Sequence, residues 1–126
     1  MAELFNVTLE RLMPRGTDLV DRVRTALAHV PNVEEKKMFG SLAFMVRGKM
    51  CIGARAERIM CRIDPAFHDA ALEHKGCQTV VMKGRQYRGY VHVDAGSVRT
   101  KRALKYWVDL ALNYNKAIAS TKNGNP

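Results

Sequence analysis

The stretch Lys36–Asp64, KKMFGSLAFMVRGKMCIGARAERIMCRID, decides the fold. Its apolar residues recur at every second position, the repeat of a half-buried strand. Turn-forming residues at Arg47-Gly48-Lys49 and Ala56-Glu57 divide it into three antiparallel strands. Pairing across a two-residue turn at Ala56-Glu57 sets Met50, Ile52 and Ala54 on one face with Ile59, Cys61 and Ile63, which makes that face the core. The other face then presents Cys51, Arg55, Met60 and Arg62, so Cys51 and Cys61 point to opposite sides and form no disulfide. In the first strand a three-residue turn at Arg47-Gly48-Lys49 puts the bulky set Leu42, Phe44 and Val46 in the core and Met45 outside. A two-residue turn would put Ala43 and Met45 in the core instead.

Working outward, Thr17 is a helix cap with Asp18 and Asp21 in the positive first turn. Leu19, Val20, Val23, Ala26, Leu27 and Val30 form the buried stripe of that helix, and Pro31 ends it near Val30. Apolar residues at a spacing of about four suggest one short amphipathic helix within residues 1–13, ahead of Pro14 and Gly16. Downstream, Asp64-Pro65 is a cap followed by proline at the first helical position, which predicts a helix over 65–75 stopped by Gly76. Residues 78–83 and 86–94 read as a second hairpin turning at Gly84-Arg85. Ser97 or Thr100 caps a last helix with the stripe Leu104, Trp107, Val108, Ala111, Tyr114 and Ile118. The expected order is α-β-β-β-α-β-β-α: a two-layer α+β fold, a five-stranded antiparallel sheet with helices on one face. Residues 1–16 are read as an extension, 17–118 as the domain and 119–126 as a flexible polar tail.

With 126 residues and 47% apolar content, the chain fits one globular domain with a core of its own. No apolar run approaches the roughly 20 residues that span a bilayer, and the opening MAELFNVTLE is not a signal peptide, so a cytoplasmic protein without membrane contact is expected. Cys51, Cys61 and Cys77, an odd set without metal-knuckle spacing, are read as reduced, partly buried thiols. Lys and Arg number 21 against 12 Asp and Glu, a net charge of +9 that attracts polyanions and equally keeps a small domain soluble.

The Met38-Phe39-Gly40 element, the hairpin glycine Gly48, the end of the third strand at Ile63-Asp64 and the basic hairpin Lys83–Tyr90 resemble the N-terminal domain of the TfoX/Sxy competence and transcription regulators. The resemblance covers residues 17–118 and includes the closing helix with Trp107. Many relatives carry a second glycine after Met-Phe-Gly, where this chain has Ser41. The resemblance implies a secretion-chaperone-like two-layer fold. It also implies a regulatory role, without the C-terminal DNA-binding-like domain of full-length members.

No recognisable catalytic constellation stands out. His68 and His74 share a helix but are six apart, which reads as two solvent-facing residues and no metal pair. His92 shares a strand face with Tyr90 and Asp94, the best hint of an enzyme and the weakest of three functional readings. No metal and no cofactor are expected. The leading reading is a non-catalytic module acting by protein contact or self-association through the sheet face opposite the helices, where Met45, Cys51, Arg55, Met60 and Arg62 would form an adaptable patch. The alternative is direct, non-specific nucleic-acid binding. Its contacts would be Lys83, Arg85 and Arg88 interleaved with Tyr87 and Tyr90, and Lys101, Arg102 and Lys105 at the start of the last helix. Against it stands a plain solvated hairpin tip.

Overall fold

A computed structural model describes residues 15–38 and 40–120. The expected helix within 1–13, Phe39 and the tail after Ser120 lie outside the described residues. The first helix, α1, spans Arg15–Ala26, and four strands follow: β1 Val33–Met38, β2 Ser41–Val46, β3 Lys49–Ala54 and β4 Arg58–Arg62. A 3-10 turn at Pro65–Phe67 runs into the short helix α2, His68–Leu72; then come β5 Cys77–Met82, β6 Arg85–Asp94 and the long helix α3, Lys101–Ser120. The strands form one antiparallel sheet in the order β1-β2-β3-β4-β6-β5.

The sheet therefore has six strands and not five. The extra one is β1, which pairs with β2 from Val33–Val46 to Met38–Ser41. Only Val33 of β1 is even partly buried, because Glu34, Glu35, Lys36 and Lys37 all face water. A charged edge strand leaves no apolar alternation to read, and its charges discourage pairing with another chain. Arg24 of α1 clamps it with two hydrogen bonds to the Glu35 carboxylate, at 2.7 and 2.9 Å.

Three local expectations change with this register. The Arg47-Gly48 turn has two residues, not three; both take positive φ, 54° and 78°, the conformation of a type I′ turn that glycine favours at its second position. Leu42, Phe44 and Val46 nevertheless face the core, because a bulge after Phe44 leaves Cys51 as an extra residue between the Phe44–Ile52 and Met45–Met50 pairs. The bulge draws Cys51 into the core and turns Met50 to the opposite face, the reverse of the expected assignment for both residues. Beyond the bulge, the Ala56-Glu57 turn holds as read, with Ala54 opposite Ile59 and Ile52 opposite Cys61.

Elsewhere the helix ends and one turn shift. Helix α1 ends at Ala26, four residues before Val30. Its last turn tightens into three-residue bonds, Ala28 N–H to Thr25 at 3.1 Å and Val30 N–H to Leu27 at 3.0 Å, ahead of Pro31. The expected helix over 65–75 is shorter, a 3-10 turn capped by Asp64, whose carboxylate accepts the Ala66 N–H at 2.9 Å, joined to one and a half turns of α-helix. The second hairpin turns at Lys83-Gly84, one residue earlier than expected. Thr100, and not Ser97, caps α3: its hydroxyl accepts the Ala103 N–H at 3.0 Å.

All three helices contribute to one apolar cluster on one face of the sheet. Leu19 and Val23 come from α1 and Leu27 from the turn after it, Ala71 from α2, and Leu104, Trp107, Val108 and Ala111 from α3. They close over Phe44, Ile52, Ile59, Cys61, Val91 and Val93. Truncating a core ring such as Phe44 to alanine removes about 3–5 kcal/mol. The α3 stripe ends differently from its expected pattern: Tyr114 is only half-buried, and the fully buried position is Asn115. The Asn115 amide donates to the Val46 carbonyl at 2.9 Å and accepts from Arg47 at 3.1 Å, tying α3 to the β2–β3 turn.

Candidate functional site

Among the described residues, the face of the sheet away from the helices is open, and its centre is hollow. Gly53 of β3 has no side chain and Ala43 of β2 a short one, so the middle strands leave a depression between Met50 and Met60. A second bulge, in β6 between the Thr79–Val91 and Val80–Tyr87 pairs, turns Tyr87 to this same face, where Val80 of β5 also lies. Tyr87 and Tyr90 of β6 add an edge-to-face ring pair with centroids 6.4 Å apart. The result is a cavity of about 410 Å³ that reaches from β1 to β5. Its apolar rim is unusually exposed for side chains of this size: Met38 at one edge of the sheet and Val81 and Met82 at the other are 41%, 54% and 51% accessible.

One end of the cavity is basic. Arg55 and Arg58 stand on either side of the β3–β4 turn and both line it, with His92 beside them on β6. The Arg55 guanidinium meets the exposed Glu57 carboxylate at 3.4 Å. Among the described residues, the buried Nε of Arg58 has no hydrogen-bond partner, an orphan donor of the kind folded proteins rarely keep. Burial holds the His92 pKa below the usual histidine value, and the positive charges of Arg58 and Arg55 lower it further. Near neutral pH the ring is therefore uncharged.

Of the residues read from the sequence as an open-face patch, Arg55 and Met60 line the cavity. Met45 is partly buried and does not line it. Cys51 belongs to the core instead. Arg62 is held between two rings, 5.6 Å from the centroid of Tyr90 and 5.8 Å from that of Tyr114. The expectation missed Met50, which the β3 bulge turns to this face, and did not name Gly53, Arg58 and Val80, which strand alternation places there.

The basic hairpin is divided. Tyr87 and Tyr90 face the cavity, whereas Arg88 turns toward α2 and makes a two-pronged pair with Asp69, both bonds at 3.2 Å. Lys83 and Arg85 are exposed at the tip. Arg88 thus does not share a surface with the rings. Lys101, Arg102 and Lys105 lie on a different groove, between α1 and α3. There Lys105 pairs with Asp109 at 2.6 Å, and Asp21 supplies a second acid.

Of the two histidines expected to face solvent, His74 is exposed as read and His68 is not. His68 is buried, not solvent-facing: its Nδ1 accepts the Gly89 N–H at 2.9 Å, which leaves the proton on Nε2 to donate to the Thr79 hydroxyl at 3.0 Å. His74 packs edge-on to Trp107 and reaches the Tyr106 hydroxyl at 3.1 Å. Among the described residues, no three His, Cys, Asp or Glu side chains are grouped so that they could hold a metal ion, and no helix is long and apolar enough to cross a membrane. The three cysteines are buried and free.

The family model of the TfoX N-terminal domain matches residues 25–114, a span that holds all six strands and reaches from within α1 to within α3. The chain belongs to the TfoX N-terminal domain family. No curated protein and no solved structure matches it. In this TfoX N-terminal domain Met38 is the last residue of β1 and Gly40 directly precedes β2, so these two motif residues mark a junction between strands and not the entry to the first strand. Met38 closes β1 at the rim of the cavity, and Ser41, which stands where many relatives carry glycine, opens β2 and lines the cavity too.

Proposed function

We propose that this TfoX N-terminal domain is a non-catalytic regulatory module that binds a protein partner through the helix-free face of its sheet, in the control of transcription or competence. The observation that carries this reading is the exposed apolar rim: Met38, Val81 and Met82 stay in water while Met50 and Met60 line the hollow between them. Exposed apolar side chains gathered on one face mark interaction surfaces, and methionine adapts to irregular partner shapes. Charge favours a different, acidic partner over self-association. Two copies, each of net charge +9, would repel, and the exposed face carries Arg55 and Arg58.

The test is affinity capture with the wild-type chain, with Met60→Glu, and with Lys101→Glu in the α1–α3 groove, each first shown to fold by circular dichroism. A partner identified by mass spectrometry should be retained by wild type and Lys101→Glu and lost with Met60→Glu. Capture that survives Met60→Glu and is lost with Lys101→Glu would move the working surface to the helix side. Direct nucleic-acid binding is the competing reading, supported by the net positive charge and by exposed Lys83 and Arg85.

A further inference from the structure

We infer that the cavity on the helix-free face is a binding site for a small apolar monocarboxylate, whose hydrocarbon body lies over Gly53 between Met50 and Met60 and whose carboxylate meets Arg58. The inference rests on reading this face as the working face, but it needs no protein partner.

Size and lining decide the body of the ligand. A volume of about 410 Å³ falls within the roughly 300–1,000 Å³ of small-molecule pockets. Its lining is dominated by Met50, Met60, Val80, Met82 and the two tyrosine rings, surfaces that favour a flexible hydrocarbon over a sugar or nucleotide. The floor is open only because position 53 is glycine. A Cβ built there would meet Met50 Cε at 3.7 Å and Met60 Cβ and Cε at 3.9 Å, ordinary contacts that leave the strand undisturbed while the hollow fills.

Charge decides the head group. No aspartate or glutamate is among the described residues that line the cavity, and the polar side chains at its basic end are Arg55, Arg58 and His92. Arg55 has Glu57 for company. Arg58 lines the cavity with its Nε covered by protein, so a carboxylate would accept from the terminal nitrogens of its guanidinium, a two-bond geometry that guanidinium and carboxylate match well. A cationic head group would face two arginines and a neutral imidazole, and an uncharged one would leave the Arg58 donor poorly satisfied. Anchoring by one charged pair beside an apolar trough is the general design of small-ligand sites.

The experiment is a titration of the full chain with octanoate, followed by isothermal calorimetry and by amide chemical shifts. Octyltrimethylammonium and octanol serve as probes of the same chain with a cationic and a neutral head. The expected result is saturable one-to-one binding of octanoate, with the largest shifts at Gly53, Met60 and His92. Octanol should bind about tenfold more weakly or worse, and the ammonium probe should not bind there. Gly53→Val should abolish octanoate binding. Arg58→Gln should weaken it about tenfold or more while leaving octanol binding unchanged. No octanoate binding would overturn the inference, as would equal binding of all three probes or shifts confined to the α1–α3 groove. Loss of octanoate binding in Arg58→Gln with parallel loss of octanol binding would also overturn it, since the carboxylate would then not be what Arg58 reads. None of these outcomes depends on the protein partner, whose own test is the captured protein.

Discussion

His68 accepts the Gly89 amide proton at Nδ1, 2.9 Å away, and the Gly89 carbonyl in turn accepts from Ile63 N–H at 2.8 Å. One residue thereby joins α2, β6 and the exit of β4. Gly89 is required at this junction because its φ is +93°, and a Cβ would press on the Ile63 carbonyl and the Pro65 ring at 3.2 Å each. The imidazole satisfies a backbone donor that α2 would otherwise bury unpaired.

Replacing His68 by alanine should cost about 2–3 kcal/mol, since a buried N–H loses its acceptor and the ring leaves a void. His68→Asn, whose side-chain oxygen can stand where Nδ1 stood, should recover about half of that loss. Urea midpoints of the two variants at pH 7.5 check this. Equal losses would show that ring volume matters and the bond to Gly89 does not.

Stability should fall on mild acidification. Burial and the nearby Arg88 charge hold the His68 pKa below its ordinary value, and His92 is lowered by burial and by Arg58 and Arg55. Both rings therefore bind a proton more readily in the unfolded chain. Their contribution is complete above the unfolded histidine pKa, about 6.5, and is lost as pH drops below it toward the lowered folded values. Urea midpoints at pH 7.5 and 5.5 should show the decline, and His92→Gln should remove only part of it. A midpoint that rises with acidification would contradict the buried placement of His68.

The thiols should be inert in the folded protein. Burial pushes Cys51 up to about 12 and Cys77 up to about 11, and raises Cys61 further still, so almost no thiolate exists at pH 8. Iodoacetamide should label none of them within an hour in buffer and all three in 6 M guanidinium, a concentration set by the experimenter and read out by intact mass. Fast labelling of Cys51 in buffer would place it back on the open face.

Asn115 offers a separate check on the turn that sets the β2–β3 register. Asn115→Leu keeps the volume but leaves the Val46 carbonyl and the Arg47 guanidinium without this partner, and should cost about 1–3 kcal/mol. Thermal denaturation measures it. A neutral result would mean that solvent and neighbouring strands satisfy both groups.

If nucleic acid is bound at all, the contact should be electrostatic and independent of the rings. Arg88 is engaged by Asp69, and Tyr87 and Tyr90 face the cavity. A salt titration with single-stranded DNA should therefore give the same slope for wild type and Tyr87→Ala, while Lys83→Ala with Arg85→Ala reduces it. A large loss of affinity in Tyr87→Ala would show that the rings stack on bases and restore the interleaved hairpin reading.

The sequence by itself determined the α+β class, the core faces of β2 and β4, the Ala56-Glu57 turn, the Asp64-Pro65 helix start and most of the α3 stripe. Each of these is written in local terms: a period of two or of about four, a capping side chain, a proline. It also carried the family, through Met38, Gly40, Gly48 and the order of elements. What it could not carry is anything that depends on an interruption of the period. Strand β1 consists of charged residues that bury almost nothing, so it is stabilised by pairing to β2 and by Arg24, partners distant from its own pattern. The irregularities after Phe44 and Thr79 insert Cys51 into β3 and Arg88, Gly89 and Tyr90 into β6, register shifts of one and three residues, and each reverses the face of the side chains beyond it on the inserted strand. Tertiary packing alone decided that Cys51 is core, that Met50 lies over Gly53 on the open face, and that His68 is buried against Gly89. The physical reason is that a bulge and a buried polar contact are chosen by which arrangement fills the core without unpaired groups, a property of the whole sheet and its helices.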